Sequence, residues 1–210
     1  MKRALILVDI QNDFIPGGAL AVAEGDKVVP IANRLQTAFD LVLATQDWHP
    51  ANHGSFASQH PGMKPGDVID LNGIAQVLWP DHCVQGSKGA EFHPHLDVRR
   101  IAKVFQKGVD PQIDSYSGFF DNGHRRGTGL AEYLRSRSVT DVYIAGLATD
   151  YCVKFTSLDA RTLGLNTFVI EDACRGVNLQ PGDSATALDQ MRAAGVNVVA
   201  SDDLVSAAVR

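Results

Sequence analysis

Cys152 stands where an apolar run, Val142 to Ala145, gives way through Gly146-Leu147-Ala148-Thr149-Asp150-Tyr151 to a stretch of helical spacing. A thiol at a helix N-terminus feels the positive end of the helix dipole, which lowers its pKa from about 8.5 and favours the nucleophilic thiolate. The same turn aims backbone N–H groups at one place, the requirement for holding an oxyanion. Two charges end other apolar runs: Asp9 follows Ala4 to Val8, and Lys107 follows Ile101 to Phe105. A carboxylate that takes the thiol proton, beside a lysine that steadies the thiolate, is a workable activation of cysteine. Cys83 and Cys174 open no helix after a strand and read as buried structural thiols.

A second constellation follows the run Leu41 to Thr45. Asp47, His49 and His53, with His82 further on, are carboxylate and imidazole donors close in sequence. Such a set suits one divalent ion, Zn²⁺, Fe²⁺ or Mn²⁺, rather than a soft all-thiolate site. His60, His93, His95 and His124 read as solvent-facing loop residues. Phe14, Trp79 and Tyr116 flank these segments and suit the walls of a pocket for a flat aromatic substrate. A rival chemistry uses the same donors differently, with a metal-bound hydroxide as nucleophile and Cys152 merely structural.

These residues need elements to place them. Four short apolar runs (Ala4 to Val8, Leu41 to Thr45, Val142 to Ala145, Thr167 to Ile170) and two weaker ones (Ile101 to Phe105, Val196 to Val199) are continuous rather than alternating. That pattern marks strands covered on both faces. Between them lie helical spacings at Lys27 to Phe39, Gly129 to Arg137, Asp150 to Leu163 and Ser184 to Ala194. The alternation predicts an α/β fold: an open, mostly parallel six-stranded sheet, Rossmann-like, flanked by helices on both faces. In such sheets ligands bind outside the carboxyl ends of the strands. Asp9, Asp47, Lys107 and Cys152 all follow strand ends and therefore share one rim.

The chain reads as one domain over residues 1–210, with an insertion from about 47 to 100 rich in Pro, Gly and His and poor in periodicity. Both tryptophans and six of the seven histidines lie there, which argues for a functional insertion rather than disorder. Nineteen Lys and Arg against 24 Asp and Glu give a net charge of −5, no electrostatic footprint for nucleic acid or an anionic membrane. No apolar run approaches the roughly 20 residues that span a bilayer. The N-terminal run is short, ends at Asp9 and reads as a strand rather than a signal peptide. Three widely spaced cysteines without a CxxC pair form no disulfide framework and suit the cytoplasm.

Several segments together resemble the nicotinamidase family of isochorismatase-like cysteine hydrolases. They are Val8-Asp9-Ile10-Gln11-Asn12-Asp13-Phe14, Asp47-Trp48-His49-Pro50-Ala51-Asn52-His53-Gly54-Ser55-Phe56, Trp79-Pro80-Asp81-His82-Cys83-Val84-Gln85-Gly86, Lys107-Gly108, Asp114-Ser115-Tyr116-Ser117-Gly118-Phe119-Phe120 and Gly146 to Val153. The resemblance implies a triad of Asp9, Lys107 and Cys152, and a divalent ion held by Asp47, His49, His53 and His82. It implies a cis peptide before Thr149, with the N–H groups of Ala148 and Cys152 facing the oxyanion. It further implies hydrolysis of nicotinamide, and of pyrazinamide, through a cysteine thioester in NAD salvage.

Overall fold

The structure, a computed structural model, describes residues 2–207. In chain order the strands are β1 (Lys2–Val8), β2 (Leu41–Asp47), β3 (Val68–Leu71), β4 (Ile74–Val77), β5 (Ile101–Lys107), β6 (Val139–Leu147), β7 (Asn166–Arg175) and β8 (Asn197–Val199). The helices are α1 (Val28–Leu35), α2 (Leu130–Ser136), α3 (Lys154–Thr162), α4 (Asp183–Ala193) and α5 (Ser201–Ala207). Six strands form a parallel sheet in the order β5-β2-β1-β6-β7-β8. All six apolar runs are in it.

Because neighbouring side chains on a strand point to opposite faces, β1 feeds two cores. Leu5 and Leu7 pack with α1 residues such as Val28, Ala32 and Leu35, against which Leu204 of α5 also packs. Ala4, Ile6 and Val8 pack with Leu130 and Leu134 of α2, Ala160 of α3 and Met191 of α4. Burial on both faces is why these strands read as continuous apolar runs. The strand order reverses direction at β1, so β1 and β6 flank the topological switch point, where α/β sheets open a crevice. The residues that follow these two strands therefore meet at its mouth.

Two elements differ from the sequence expectation. The 47–100 insertion contains a two-stranded hairpin, β3 paired antiparallel with β4. Its turn is Asn72-Gly73, both at positive φ (54° and 85°), the backbone required by a two-residue turn that matches strand twist. An Asn-Gly pair between Val68-Ile69-Asp70-Leu71 and Ile74-Ala75-Gln76-Val77 was the available signal. The other is the stretch Asp150 to Leu163, which begins as a π-turn at Thr149–Val153 before α3. No helix among the described residues is long and apolar enough to cross a membrane.

Candidate active site

Asp9 leaves β1 with a left-handed backbone (φ 48°), ending the strand and placing its carboxylate in a fully buried position. Thr45 Oγ1 donates to Asp9 Oδ1 at 2.6 Å. Asp47 and Lys107 are partners in the β2–β5 ladder, each the last residue of its strand. Lys107 is itself buried, and its ammonium makes four close approaches. They are Asp9 Oδ2 at 2.9 Å, Asp47 Oδ1 at 2.8 Å, the Ser115 carbonyl at 3.0 Å and Cys152 Sγ at 3.4 Å. The two carboxylates hold Lys107 well above its ordinary pKa against a strong desolvation penalty, so it is charged.

Cys152 sits within the π-turn, whose wide ring is closed by Val153 N–H donating to the Ala148 carbonyl at 3.0 Å. Gly146 allows the approach: a Cβ there would lie 2.1 Å from the Val8 carbonyl oxygen, and its φ is 126°. The Leu147–Ala148 peptide is cis. That is one bond earlier than the expectation before Thr149, at the junction where β6 ends and the turn begins. The expectation of a lowered thiol pKa is also corrected. Burial pushes the Cys152 thiol well up; Lys107 pulls it down, and Asp9 and Asp47 push it up further. Desolvation of the thiolate outweighs the nearby ammonium. Asp9 too is raised, by burial above all, with Lys107 opposing.

The histidines divide by tautomer. His49 Nδ1 lies 2.9 Å from the Gly108 carbonyl and His82 Nδ1 lies 2.8 Å from the Pro80 carbonyl. A carbonyl only accepts, so both Nδ1 atoms carry a proton, and in the neutral ring each Nε2 presents a lone pair. Those lone pairs face Asp47 Oδ2 at 3.1 and 3.3 Å. Burial disfavours a charged His49 ring but Asp47 raises its pKa, so the approach is satisfied by a proton on Nε2 or, in its place, by a cation among the three groups. Asp47, His49 and His82 fit a divalent ion, and Asp47 Oδ2 is the group that His49 Nε2 approaches. Gly108 makes room, since a Cβ there would lie 2.3 Å from His49 Cε1.

His53 is brought to a different group, with His49 and Asp114. Burial pushes its pKa down to about 4. Its Nδ1 accepts from the Ser55 N–H at 3.2 Å, the reverse of the other two rings.

A narrow cleft lies between Cys152 and the donor cluster. Phe14, Trp79 and Tyr116 line it, together with Ala148, Leu20, Tyr151 and Val177, which sequence reasoning did not assign as walls. Tyr151 stacks edge-on against Trp79, with centroids 4.8 Å apart, and neighbours Tyr116 at 5.3 Å. Two buried amides were also missed. Gln11 Nε2 donates to the Asp47 carbonyl, and Gln11 Oε1 accepts the Asp47 N–H, both at 2.8 Å, fixing the strand end that carries a metal-type donor. Gln76, on β4, donates to Asp114 Oδ2 at 3.0 Å and to Tyr116 Oη at 2.9 Å, while Trp79 Nε1 reaches the same hydroxyl at 3.2 Å. No one-dimensional pattern marks such an amide.

Cys83 and Cys174 are buried in the two cores, as expected. Among the other histidines, His95 and His124 are exposed and His60 and His93 half-buried.

A buried cysteine, acid and lysine at the switch point of a parallel sheet, beside an Asp-His-His cluster, have the make-up of a cysteine hydrolase site with a metal-type neighbour. The isochorismatase domain matches residues 3–203, and the chain belongs to that family. It is 58% identical over 200 residues to the nicotinamidase of Escherichia coli K12, covering 93% of each chain. Its fold is similar to that of a nicotinamidase–pyrazinamidase from Acinetobacter baumanii, with a TM-score of 0.94 at 48% identity, covering 97% of this chain and 98% of that one. It is also similar to a Pyrococcus horikoshii pyrazinamidase solved in complex with zinc, with a TM-score of 0.78 at 39% identity, covering 95% and 99%.

Proposed function

We propose that the protein is an amidohydrolase that converts nicotinamide and water to nicotinate and ammonia, and accepts pyrazinamide likewise, in cytoplasmic NAD salvage. The observation that carries the reading is the convergence of Asp9, Lys107 and Cys152 on one end of a cleft whose other side is Asp47 and His82. At rest the thiol is protonated, because burial disfavours its anion. Asp9 takes the proton as the sulfur attacks the carboxamide carbon, and Lys107, 3.4 Å from the sulfur, steadies the charge that forms. The N–H groups of Ala148 and Cys152 receive the oxyanion. Asp9 returns the proton to the departing nitrogen, the C–N bond breaks, and ammonia leaves a thioester on Cys152. Asp9 then takes a proton from water as its oxygen attacks the thioester; the C–S bond breaks, Asp9 returns the proton to the sulfur, and the acid and the thiol are freed.

A divalent ion on Asp47, His49 and His82 supplies, when bound, a Lewis-acidic position for a ring nitrogen. The zinc complex of the Pyrococcus horikoshii pyrazinamidase supports this reading. Phe14, Trp79 and Tyr116 hold the ring flat, which is positioning. In this reading residues 1–210 work as one domain, with the 47–100 insertion contributing the ion site and a wall. The test is ammonia release from nicotinamide by metal-loaded protein, beside Cys152→Ala. Turnover that vanishes in the variant, with the ion still bound, is expected; turnover that persists refutes the thiol mechanism.

A further inference from the structure

One buried imidazole has no work in this chemistry. His53 is fully buried, its Nε2 has no protein partner, and it faces the cation-type cluster from the side of His49 and Asp114. The rings of His49 and His53 lie 4.3 Å apart. Ligation by His53 needs a lone pair on Nε2, and the Ser55 backbone N–H opposes the tautomer that would supply one. The Ser55 N–H is an obligate donor and points at His53 Nδ1, with the Ser55 hydroxyl 2.7 Å from the same atom. An Nδ1 that accepts leaves the ring's proton on Nε2. His49 and His82, tied to carbonyls through Nδ1, are the opposite case. The local chain thus sets two rings as ligands and the third as a donor. His49 has one free lone pair, so the two donor groups that share it hold one ion rather than two.

Asp114 completes the arrangement. Its Oδ1 and Oδ2 accept from the Ser115 N–H at 2.7 Å and from Gln76 at 3.0 Å, which fix the carboxylate beside His53. A donor N–H and a carboxylate, adjacent but not bonded to one another, suit an oxygen that both accepts and donates. We propose that His53 and Asp114 are positioning residues that grip a water bound to the ion, His53 donating to it and Asp114 accepting from it, and that neither is itself a ligand. The proposal rests on the ion site of Asp47, His49 and His82, not on the amidase activity.

The test uses the zinc-loaded full chain. Long-range ¹H–¹⁵N correlation of the histidine rings, with His53 assigned by its loss in His53→Gln, reads the tautomer in the unaltered protein. An acceptor Nδ1 and a protonated Nε2 are expected; a protonated Nδ1 with a metal-bound Nε2 overturns the proposal. Chelator competition gives the second reading. His53→Ala should weaken zinc by about 10–100-fold, the range for an outer partner. His53→Gln, which restores an N–H near the same place, should recover most of that. His82→Ala should lose zinc far more completely. A His53→Gln protein as empty as His82→Ala, or no better than His53→Ala, refutes the role. Since neither readout involves nicotinamide, failure here is separable from failure of the amidase reading.

Discussion

Replacing Lys107 by methionine keeps the side-chain length and removes the ammonium that touches Asp9, Asp47 and the Cys152 sulfur together. At 3.4 Å from the sulfur, an ammonium stabilises a forming thiolate by about 5 kcal/mol at an effective dielectric of 20. Expressed as a barrier, that is a loss of roughly 10³–10⁴-fold in turnover. The same change leaves two buried carboxylates uncompensated, a destabilisation of about 3–5 kcal/mol, against a total stability of about 5–15 kcal/mol. The variant should therefore fold, with a lower urea midpoint, so the two effects separate. Steady-state ammonia release gives the first, urea unfolding the second, and iodoacetamide trapping of Cys152 across pH gives the cause. The alkylation profile should move to higher pH, because Lys107 opposes the upward push that burial gives the thiol. A folded, metal-loaded Lys107→Met protein that keeps more than a tenth of parental kcat/KM refutes the role given to this lysine.

Other perturbations are equally direct. Burial holds the pKa of His53 down to about 4 in the folded chain against an ordinary 6.5, so the unfolded chain binds the extra proton first. Stability from this group is intact above pH 6.5 and falls as pH drops towards 4, by about 3 kcal/mol in all. Urea midpoints at pH 7 and 5 should converge in His53→Gln, and an equal acid loss in both proteins contradicts the assignment. Gly108→Ala, with φ 66° and a Cβ 2.3 Å from the His49 ring, should displace that ring and lower bound metal, measurable as ions per chain after gel filtration. Gln76→Leu strips a donor from Asp114 and from Tyr116, leaving buried acceptors short at about 1–3 kcal/mol each. It should raise KM for nicotinamide while the alkylation rate of Cys152 stays at the parental value; unchanged KM would count against the hairpin's part in the wall.

The sheet was legible because burial on both faces forces continuous apolar runs, and Ala4 to Val8 displays the effect most clearly. The rim residues followed from the same logic, since Asp9 ends its apolar run directly and Asp47 and Lys107 each follow the carboxyl end of theirs after one intervening residue. Chemistry set by distance was not legible. A helix N-terminus argues for a depressed thiol pKa, yet Cys152 is enclosed deeply enough that desolvation wins. Nor does a histidine's letter disclose its tautomer: His49 and His53 are four residues apart, but one meets the Gly108 carbonyl and the other the Ser55 N–H. Gln11 and Gln76 act through backbone and side-chain partners brought from 36 to 40 residues away, a range over which sequence spacing carries no signal.

A division of labour in which a sulfur attacks and an ion only positions is too clean for the geometry. Asp47 is at once a metal-type donor through Oδ2 and the acceptor of Lys107 through Oδ1. Asp9 and Asp47 together outnumber the one ammonium that lies between them, leaving a surplus negative charge beside the thiol. That surplus is part of what pushes Cys152 up, since both carboxylates act on it in that direction. Any cation that neutralises Asp47 therefore also lowers the cost of charging the sulfur, without touching it. The two half-sites are coupled through Lys107 and Asp47, residues held opposite each other as the last rung of the β2–β5 ladder. A change in that register would disturb the surroundings of Cys152 and the donor cluster at once, so under the proposed mechanism the end of the ladder, rather than either cluster alone, is the unit on which the chemistry would depend.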